Sequence, residues 1–271
     1  MKKMIERLAV LLLTLLLTVV FPLQPVYAAD GNSVSQEAVS GNFRNVQAGA
    51  IGKNNLFRSQ HPANGSKRSY YANELAELKQ IQTVLNLSDS EKVLKNHFKE
   101  AKIDSSYYYK TLYDRGSVYT ANLNPEHVNS AYRKKLVGSL KYMARTKGPY
   151  LIHCEIGRER TGFAILLLEC LMGAPYDYML DDYAQSYVNV NRQDAAKARQ
   201  TAVSCLNAEF RYMTGIKKKT DWSKASLITY ATRYLIKGGM TTEEVAALKK
   251  KLAVSYPEHG IGSKLVCSPG E

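Results

Sequence analysis

The stretch 151–163, LIHCEIGRERTGF, decides how the rest of the sequence is interpreted. A short apolar run ends at Cys154, and Arg160 follows six positions later, just before a second apolar run. A buried cysteine alone would be ordinary, because a free thiol behaves as a small hydrophobic group. Its combination with Arg160-Thr161-Gly162 indicates a functional loop between a strand and a helix.

The surrounding sequence predicts an α/β fold. Short runs of apolar or aromatic residues are typical of strands, whereas apolar residues three and four apart indicate helices. Strands that alternate with helices predict a central, mostly parallel sheet flanked by helices. From about residue 177 onward the pattern is helical, and Thr241 to Glu244 has the spacing of a capping box. The predicted strands are 83–87, 107–113 and 150–153, and the predicted helices are 73–81, 125–145 (with Asn124 as N-cap) and 161–172.

The loop that follows the last of these strands is predicted to bind an anion. In open α/β sheets ligands bind beyond the carboxyl ends of the strands, and a tight loop that enters a helix directs several backbone N–H groups into one concavity. The helix dipole adds positive character there, and the planar guanidinium of Arg160 can hold two phosphate oxygens. The predicted phosphate-binding residues are Glu155, Ile156, Gly157, Arg158, Glu159 and Arg160.

Cys154 lies at the start of this loop, where positive surroundings favour the thiolate over the thiol. A thiolate at the base of a phosphate site is a nucleophile directed at phosphorus, so the predicted reaction is phosphoryl transfer to Cys154 followed by hydrolysis. We expect Thr161 to donate its hydroxyl to the sulfur and His153 to fix the loop through its ring nitrogens. Because Arg160 and the backbone amides can stabilise the phosphoryl oxygens, neither a metal nor another cofactor is expected.

The ten residues 153–162, HCEIGRERTG, match the pattern H-C-x-x-G-x-x-R-[ST]-G, and the sequence thereby resembles the protein tyrosine phosphatase superfamily of cysteine-dependent phosphatases. Residues 42–45 (NFRN), 56–59 (LFRS) and 230–252 are similar to segments of bacterial phosphatases with tyrosine and phosphoinositide activity. The resemblance spans roughly residues 41–253. It implies a tyrosine-phosphatase-like fold and a phosphorylated substrate, with phosphotyrosine or a phosphoinositide favoured.

The leaving group of such a reaction needs a proton, which in the superfamily comes from an aspartate on a loop after the preceding strand. Asp114 follows the predicted strand 107–113 and is the first candidate, although it is also typical of a turn. Glu159 is the second candidate, because it lies in the predicted phosphate-binding loop itself. Asp89 is the third, but Asp89 and Ser90 more simply cap the helix that follows.

The charge of the chain favours an anionic partner. The formal net charge is +13, and we find no recognised nucleic-acid-binding motif. Arg158, together with Arg44 and Arg58, is predicted to add positive charge to the rim of the site, which would suit an inositol ring with several phosphates. An inositol polyphosphate (phytate-type) phosphatase is therefore the alternative enzyme. A sulfurtransferase and a catalytically inactive phosphate-binding module are the alternatives of other kinds.

The four cysteines leave the redox state open. Cys205 and Cys267 are candidates for a disulfide, and Cys170 is either a core residue or a reversible disulfide partner of Cys154. A chain of this length does not need disulfides to fold.

The ends of the chain are predicted to lie outside the catalytic domain. Residues 1–28 combine a basic start, an apolar core and a V-Y-A cleavage site, which is typical of a signal peptide; the apolar run also approaches the length of a membrane anchor. We therefore expect an exported protein without a stable membrane anchor after cleavage. The predicted organisation continues with a flexible leader 29–40, the phosphatase domain 41–253 and a tail 254–271.

Overall fold

A computed structural model of the protein describes residues 36–125 and 129–259. The predicted signal peptide, residues 29–35 of the predicted leader, and Cys267 lie outside the described residues. Within the two described ranges, no helix has both the length and the hydrophobicity that crossing a membrane requires.

Five strands form one mixed sheet. They are β1 (Arg44–Asn45), β2 (Leu56–Ser59), β3 (Thr83–Asn86), β4 (Val118–Thr120) and β5 (Tyr150–His153). Their order across the sheet is β1-β2-β5-β3-β4. Only the short edge strand β1 is antiparallel to its neighbour, and the other four strands are parallel. The predicted mostly parallel α/β sheet is therefore confirmed, and the central strand β5 is the one that precedes the loop.

Ten helices flank the sheet in the described part of the chain. They are α1 (Gln36–Ser40), α2 (Lys67–Leu78), α3 (Glu91–Glu100), α4 (Tyr108–Asp114), α5 (Ser130–Arg145), α6 (Glu159–Leu171), α7 (Tyr176–Asn191), α8 (Ala195–Thr214), α9 (Leu227–Lys237) and α10 (Thr242–Leu252). The predicted helical C-terminal region corresponds to α7 to α10.

The two faces of the sheet bury two separate hydrophobic clusters, because successive side chains of a strand point to opposite faces. Helices α2, α3 and α4 cover one face, and α5 to α10 cover the other. Among the strand residues, Phe57, Val84 and Leu151 belong to the first cluster, and Leu56, Leu85 and Ile152 belong to the second.

Helix α6 runs through the second cluster. Every residue from Thr161 to Leu171 is buried, which explains why the helix is apolar on all sides. Since α6 starts at the end of the loop, the burial of this helix fixes one end of the loop, and β5 fixes the other.

Three sequence-based predictions of local structure are wrong. Residues 107–113 form most of helix α4 instead of a strand; Tyr109 and Leu112 are buried three positions apart, which is the spacing of one helix face. The helix predicted from residue 125 starts at Ser130, and its N-cap is Asn129, whose side chain accepts a hydrogen bond from the backbone of Tyr132. In the predicted flexible leader, residues 36–40 form α1, which packs against α2.

Candidate active site

The loop 154–158 lies at the carboxyl edge of the parallel strands, where four chain segments meet. His153 is paired with Ser59 at the end of β2 and with Asn86 at the end of β3. Cys154 follows directly and is 1% exposed. The segments after β2, β3 and β4 therefore surround the loop that carries the cysteine.

The carbonyl groups of the loop are held by donors outside it. The backbone N–H of His61 donates to Glu155 O (3.1 Å), and the side-chain amide of Asn42 donates to Gly157 O (3.0 Å) and Ile156 O (3.3 Å). Arg58 Nη2 also donates to Gly157 O (2.9 Å). Three consecutive carbonyls of the loop thus point towards the protein that surrounds it.

The N–H groups of the loop consequently point the other way, because the carbonyl and the next N–H of a planar trans peptide are directed oppositely. In the described residues, the backbone N–H groups of residues 155–158 donate to no protein acceptor. The first N–H groups of α6 likewise lack helical partners, as at any helix start. This set of unpaired donors at a helix N-terminus lies where the sequence predicts an anion site, and it is the arrangement that binds anions in other proteins.

Gly157 is required by the shape of the loop. Its φ is +69°, in the left-handed region, and an added Cβ would overlap the carbonyl oxygen of Ser59 and lie 2.7 Å from the nitrogen of Gln60. Both the backbone conformation and the close approach to the end of β2 therefore favour glycine.

Arg160 and Thr161 occupy the first turn of α6. Arg160 Nη1 donates to the backbone carbonyl of Leu123 (3.1 Å), which follows β4, so this guanidinium joins the loop to the neighbouring segment. Thr161 is fully buried, and its hydroxyl has no hydrogen-bond partner among the described residues. The hydrogen bond that we expected from Thr161 to the sulfur of Cys154 is therefore not formed in this structure.

His153 holds the base of the loop through both ring nitrogens. Its Nδ1 lies 3.2 Å from the backbone carbonyl of Cys154, to which it donates, and its Nε2 lies 2.9 Å from the hydroxyl of Tyr109. Burial, reinforced by the nearby His61 ring, lowers the pKa of His153 well below its ordinary value. The ring is therefore neutral, which agrees with one nitrogen donating and the other accepting.

His61, Asp89 and His97 form a second polar group beside His153. Their potential ligand atoms lie within 4.8 Å of one another, so a metal site must be considered. The backbone N–H of Ala63, however, donates to His61 Nδ1 (2.9 Å), so the proton of the neutral ring is on Nε2, which donates to Asp89 (2.7 Å). Because a metal would need the lone pair of Nε2, we assign His61 and Asp89 as a hydrogen-bonded pair.

Asp89 is unsuited to proton donation. It is 3% exposed. Burial alone would raise its pKa, but the hydrogen bonds from His61 and from Asn86 outweigh burial and hold the pKa of Asp89 well below its ordinary value. The third candidate for the proton donor is therefore a structural carboxylate.

Arg44 and Arg58 lie beneath the loop, not on its rim. They are 5% and 0% exposed and share the carboxylate of Asp182 on α7: Arg44 Nε lies 2.7 Å from Oδ1, and Arg58 Nη1 contacts Oδ2. Burial, together with Asp182, raises the pKa of the nearby Glu169 well above its ordinary value, so that carboxyl is neutral. Two guanidinium groups with one charged carboxylate leave net positive charge next to the loop.

Arg158 is held at the surface by α7. Its guanidinium lies 4.9 Å from the centre of the Tyr187 ring, contacts the side chain of Asn191, and is paired with Glu159. The prediction that Arg158, Arg44 and Arg58 together line the rim is therefore wrong for the two buried arginines, and Arg158 already has three partners.

Asp114 lies at the opposite edge of the parallel strands from the loop. It ends α4, just before the amino end of β4, whereas Cys154 follows the carboxyl end of the parallel strand β5. Its carboxylate is half exposed and paired with Lys110 (2.6 Å) of the same helix. The prediction of Asp114 as the proton donor depends on a strand before it, and that segment is a helix.

The other cysteines in the described chain are free thiols. Cys170 lies near the end of α6, about 16 Å along the helix from its start at a rise of about 1.5 Å per residue. A disulfide needs Cα atoms within about 7 Å, so Cys170 does not pair with Cys154 in this fold. Its thiol contacts Met179 in the core, whereas the half-buried Cys205 contacts the hydroxyl of Tyr187.

The sequence analysis does not identify Asn42, His61, Tyr109 or Asp182 as contributors to the site. Asn42 was used only as part of the N-F-R segment, and Tyr109 was assigned to a strand. A signal for the buried arginine was present: Arg58 lies within a four-residue run that the parallel sheet buries completely, and a charge there requires a partner.

A buried cysteine at the base of an unpaired amide nest, with an arginine on the first turn of the following helix, defines a cysteine-dependent phosphatase. The model of a family described as the tyrosine phosphatase family matches residues 40–254, and the chain belongs to that family. A comparison with curated protein sequences finds no match. Among solved structures, the core catalytic domain of the PP-IP phosphatase SIW14 from S. cerevisiae, in complex with citrate, is similar over 64% of this chain and 94% of that domain, with 18% sequence identity and a TM-score of 0.35.

Proposed function

We propose that the protein is an exported phosphatase that hydrolyses phosphate monoesters of tyrosine or of phosphoinositides through a cysteinyl-phosphate intermediate. One observation supports this proposal above all others: Cys154 lies at the base of a loop in which three consecutive carbonyl groups are held outward, so that the N–H groups of the loop are free for phosphate oxygens. Export is supported by the sequence of residues 1–28 alone.

The proposed reaction has two displacements at phosphorus. The thiolate of Cys154 attacks, an S–P bond forms, the P–O ester bond breaks, and the leaving oxygen takes a proton. Water then attacks the phosphorus, the S–P bond breaks, and inorganic phosphate is released with the thiolate restored. The amide N–H groups and Arg160 bind the non-bridging oxygens in both steps, and the positive charge beneath the loop favours the thiolate.

We propose Glu159 as the proton donor. It is the first residue of α6, directly after the loop, and its side chain is 39% exposed. Asp114 lies at the other edge of the sheet, and Asp89 is buried against His61. Glu159 is paired with Arg158 in the structure, so this pair has to open and Glu159 has to take up a proton from solvent before it can protonate the leaving group.

The charges around the loop favour a substrate with one phosphate at the site over a ring with many phosphates. The two buried arginines cannot contact additional phosphates, and Arg158 is already paired. The loop also carries Glu155, an exposed carboxylate that accepts a hydrogen bond from Asn64 (2.8 Å). Carboxylates next to a polyanion are repulsive, which argues against the phytate-type alternative.

The test is phosphate release by residues 29–271 under reducing, metal-free conditions. A phosphotyrosine peptide, a phosphoinositide and inositol hexakisphosphate are compared at equal concentration. We expect release from the first two and little from the third. Preference for inositol hexakisphosphate would replace the proposal by the alternative enzyme.

The Cys154→Ser variant is the matched control for the nucleophile. We expect its turnover to fall by about 10⁴-fold or more, because the nucleophile is lost while the amide nest remains. Phosphate binding, measured by calorimetry, should persist. Turnover within tenfold of the unmodified protein would show that Cys154 is not the nucleophile.

The proton donor is tested with leaving groups of different basicity. Glu159→Gln should slow an alkyl phosphate by about 10²–10³-fold and an aryl phosphate with an acidic leaving group much less, because only the former needs the proton. Asp114→Asn is the matched control and should leave both rates unchanged. The reverse pattern would restore Asp114 as the donor.

A further inference from the structure

We propose that Asn42 is a positioning residue for the phosphate-binding loop: its side-chain amide sets the direction of the loop N–H groups and thereby favours the thiolate of Cys154. The inference rests on the proposed function of the loop. It concerns a residue more than a hundred positions away in the sequence, brought to the loop by the turn between α1 and β1.

Asn42 holds two consecutive carbonyls of the loop. Its Nδ2 lies 3.0 Å from Gly157 O and 3.3 Å from Ile156 O. In each planar peptide the following N–H points in the opposite direction, so these two bonds direct the N–H groups of Gly157 and Arg158 away from Asn42. Asn42 therefore orients two of the predicted phosphate-binding amides: it is the side chain that holds Ile156 O, and it shares Gly157 O with Arg58 Nη2 (2.9 Å).

The orientation of the Asn42 amide is itself fixed. Its Oδ1 accepts from Arg44 Nη1 (2.7 Å) and from Asn189 Nδ2 (3.2 Å). A guanidinium can only donate, so the oxygen of the amide must face Arg44 and the nitrogen must face the loop. The buried pair of Arg44 with Asp182 in turn holds the guanidinium in place. Asn42 thus connects the buried ion pair of Arg44 and Asp182 to the loop by hydrogen bonds.

The backbone of Asn42 explains why only a few residues suit this position. Its φ is +47°, in the left-handed region, and the residue is 1% exposed. Asparagine, aspartate and glycine adopt this conformation more readily than other residues. Aspartate and glycine are therefore the substitutions that remove the donor without imposing a new backbone strain.

The first test variant is Asn42→Asp, which keeps the size and the acceptor for Arg44 but replaces the donor by an oxygen that faces two carbonyls. We expect kcat/KM for a phosphate ester to fall about 10–100-fold, as two hydrogen bonds of ordinary strength are lost. The midpoint of the pH profile for alkylation of Cys154 by iodoacetamide should rise by about one pH unit, because the amides no longer converge on the thiolate.

The second variant, Asn42→Gly, removes the donor without adding a charge. The alkylation midpoint should again rise, by about half a unit or more. An unchanged midpoint in Asn42→Gly, with a raised midpoint in Asn42→Asp, would show that the added charge alone acts on the thiolate, and the proposal would be wrong.

Asn55→Asp is the matched control for a loss of stability. Asn55 is also fully buried, and its Nδ2 also donates to two backbone carbonyls, those of Lys251 and Leu252 (both 2.8 Å), but at the opposite end of β2. We expect this variant to lower the unfolding temperature while the alkylation midpoint stays that of the unmodified protein. If Asn42→Asp and Asn55→Asp differ from the unmodified protein only in unfolding temperature, Asn42 is merely structural.

The alkylation profile separates the failure of this inference from the failure of the proposed function. It reports the Cys154 thiolate whether or not a phosphate ester is hydrolysed. An unmodified protein without turnover would overturn the proposed function, and the midpoints would still decide the role of Asn42. Normal turnover with unchanged midpoints in both Asn42 variants would overturn the inference alone.

Discussion

Replacing Gly157 by alanine tests how closely the loop is tied to the sheet. An added Cβ would lie 2.7 Å from the nitrogen of Gln60 and overlap the carbonyl oxygen of Ser59. Ordinary contacts between such atoms are at least about 3.5 Å, so the two chain segments must separate by roughly 1 Å. Ser59 is paired in the sheet with His153, so the end of β2 cannot yield easily, and we expect the loop to move.

The expected loss of activity follows from that displacement. A misplacement of about 1 Å in catalytic groups can cost about 10²-fold in rate. The alanine also acquires a positive φ, which costs about 1–2 kcal/mol of stability. For a domain of this size about 1 kcal/mol corresponds to roughly 2–4 °C, so the unfolding temperature should fall by about 2–8 °C.

Gly116→Ala separates the two effects. Gly116 has a similar φ of +76°, but an added Cβ there would have no heavy atom within 4 Å. Both variants should lose stability through the backbone strain, and only Gly157→Ala should lose about 10²-fold in kcat/KM for a phosphotyrosine peptide. Activity of Gly157→Ala within threefold of that of Gly116→Ala would refute the idea that this close approach fixes the loop.

Two further predictions concern stability. Asp182→Asn should lower the free energy of unfolding by about 3–5 kcal/mol at pH 7, because Arg44 and Arg58 lose a buried charged partner. Burial alone would raise the pKa of Asp182, but the guanidinium groups hold the pKa below its ordinary value. The difference in free energy of unfolding between the unmodified protein and Asp182→Asn should therefore be full above about pH 4 and be lost as the pH falls through the pKa of Asp182 in the folded protein. A difference, measured by urea denaturation, that grows towards acid would contradict the assignment. Thr241→Ala should cost about 1 kcal/mol, since the capping box between Thr241 and Glu244 is broken, and kcat/KM should stay unchanged because α10 is remote from the loop.

The sequence was most informative where the structure is determined locally. Strand β5 has the predicted bounds, and the strand, the loop and the following helix occur in the predicted order. The spacing of glycine, cysteine and arginine is itself the local geometry of an anion site, so it could be interpreted without knowledge of the remaining fold. The capping box at Thr241 was predictable for the same reason, because its two partners are three residues apart.

The prediction failed where the outcome depends on distant residues. The run 107–113 has aromatic residues that suit a strand, but packing of Tyr109 and Leu112 against the sheet makes it a helix, and this packing cannot be derived from the run itself. The prediction of Asp114 as the proton donor is wrong for the same reason, because the helix 108–114 places Asp114 before the amino end of β4. Arg44 and Arg58 were recognisable as charges, but their partner Asp182 is more than a hundred residues away.

The parallel strands and the segments beyond them explain why so many polar residues are buried at this edge of the protein. The end of β2 supplies Arg58, the end of β3 supplies Asn86, whose amide donates to the hydroxyl of Tyr109 (3.2 Å), and the segment after β4 supplies the carbonyl that binds Arg160. Arg44 and Arg58 also form buried ion pairs with Asp182. Such pairs are weak contributors to stability, because desolvation opposes the attraction between the charges. The concentration of polar contacts around the Cys154 loop is therefore better explained by positioning: they hold loop carbonyls outward and leave the N–H groups as the free donors of the loop.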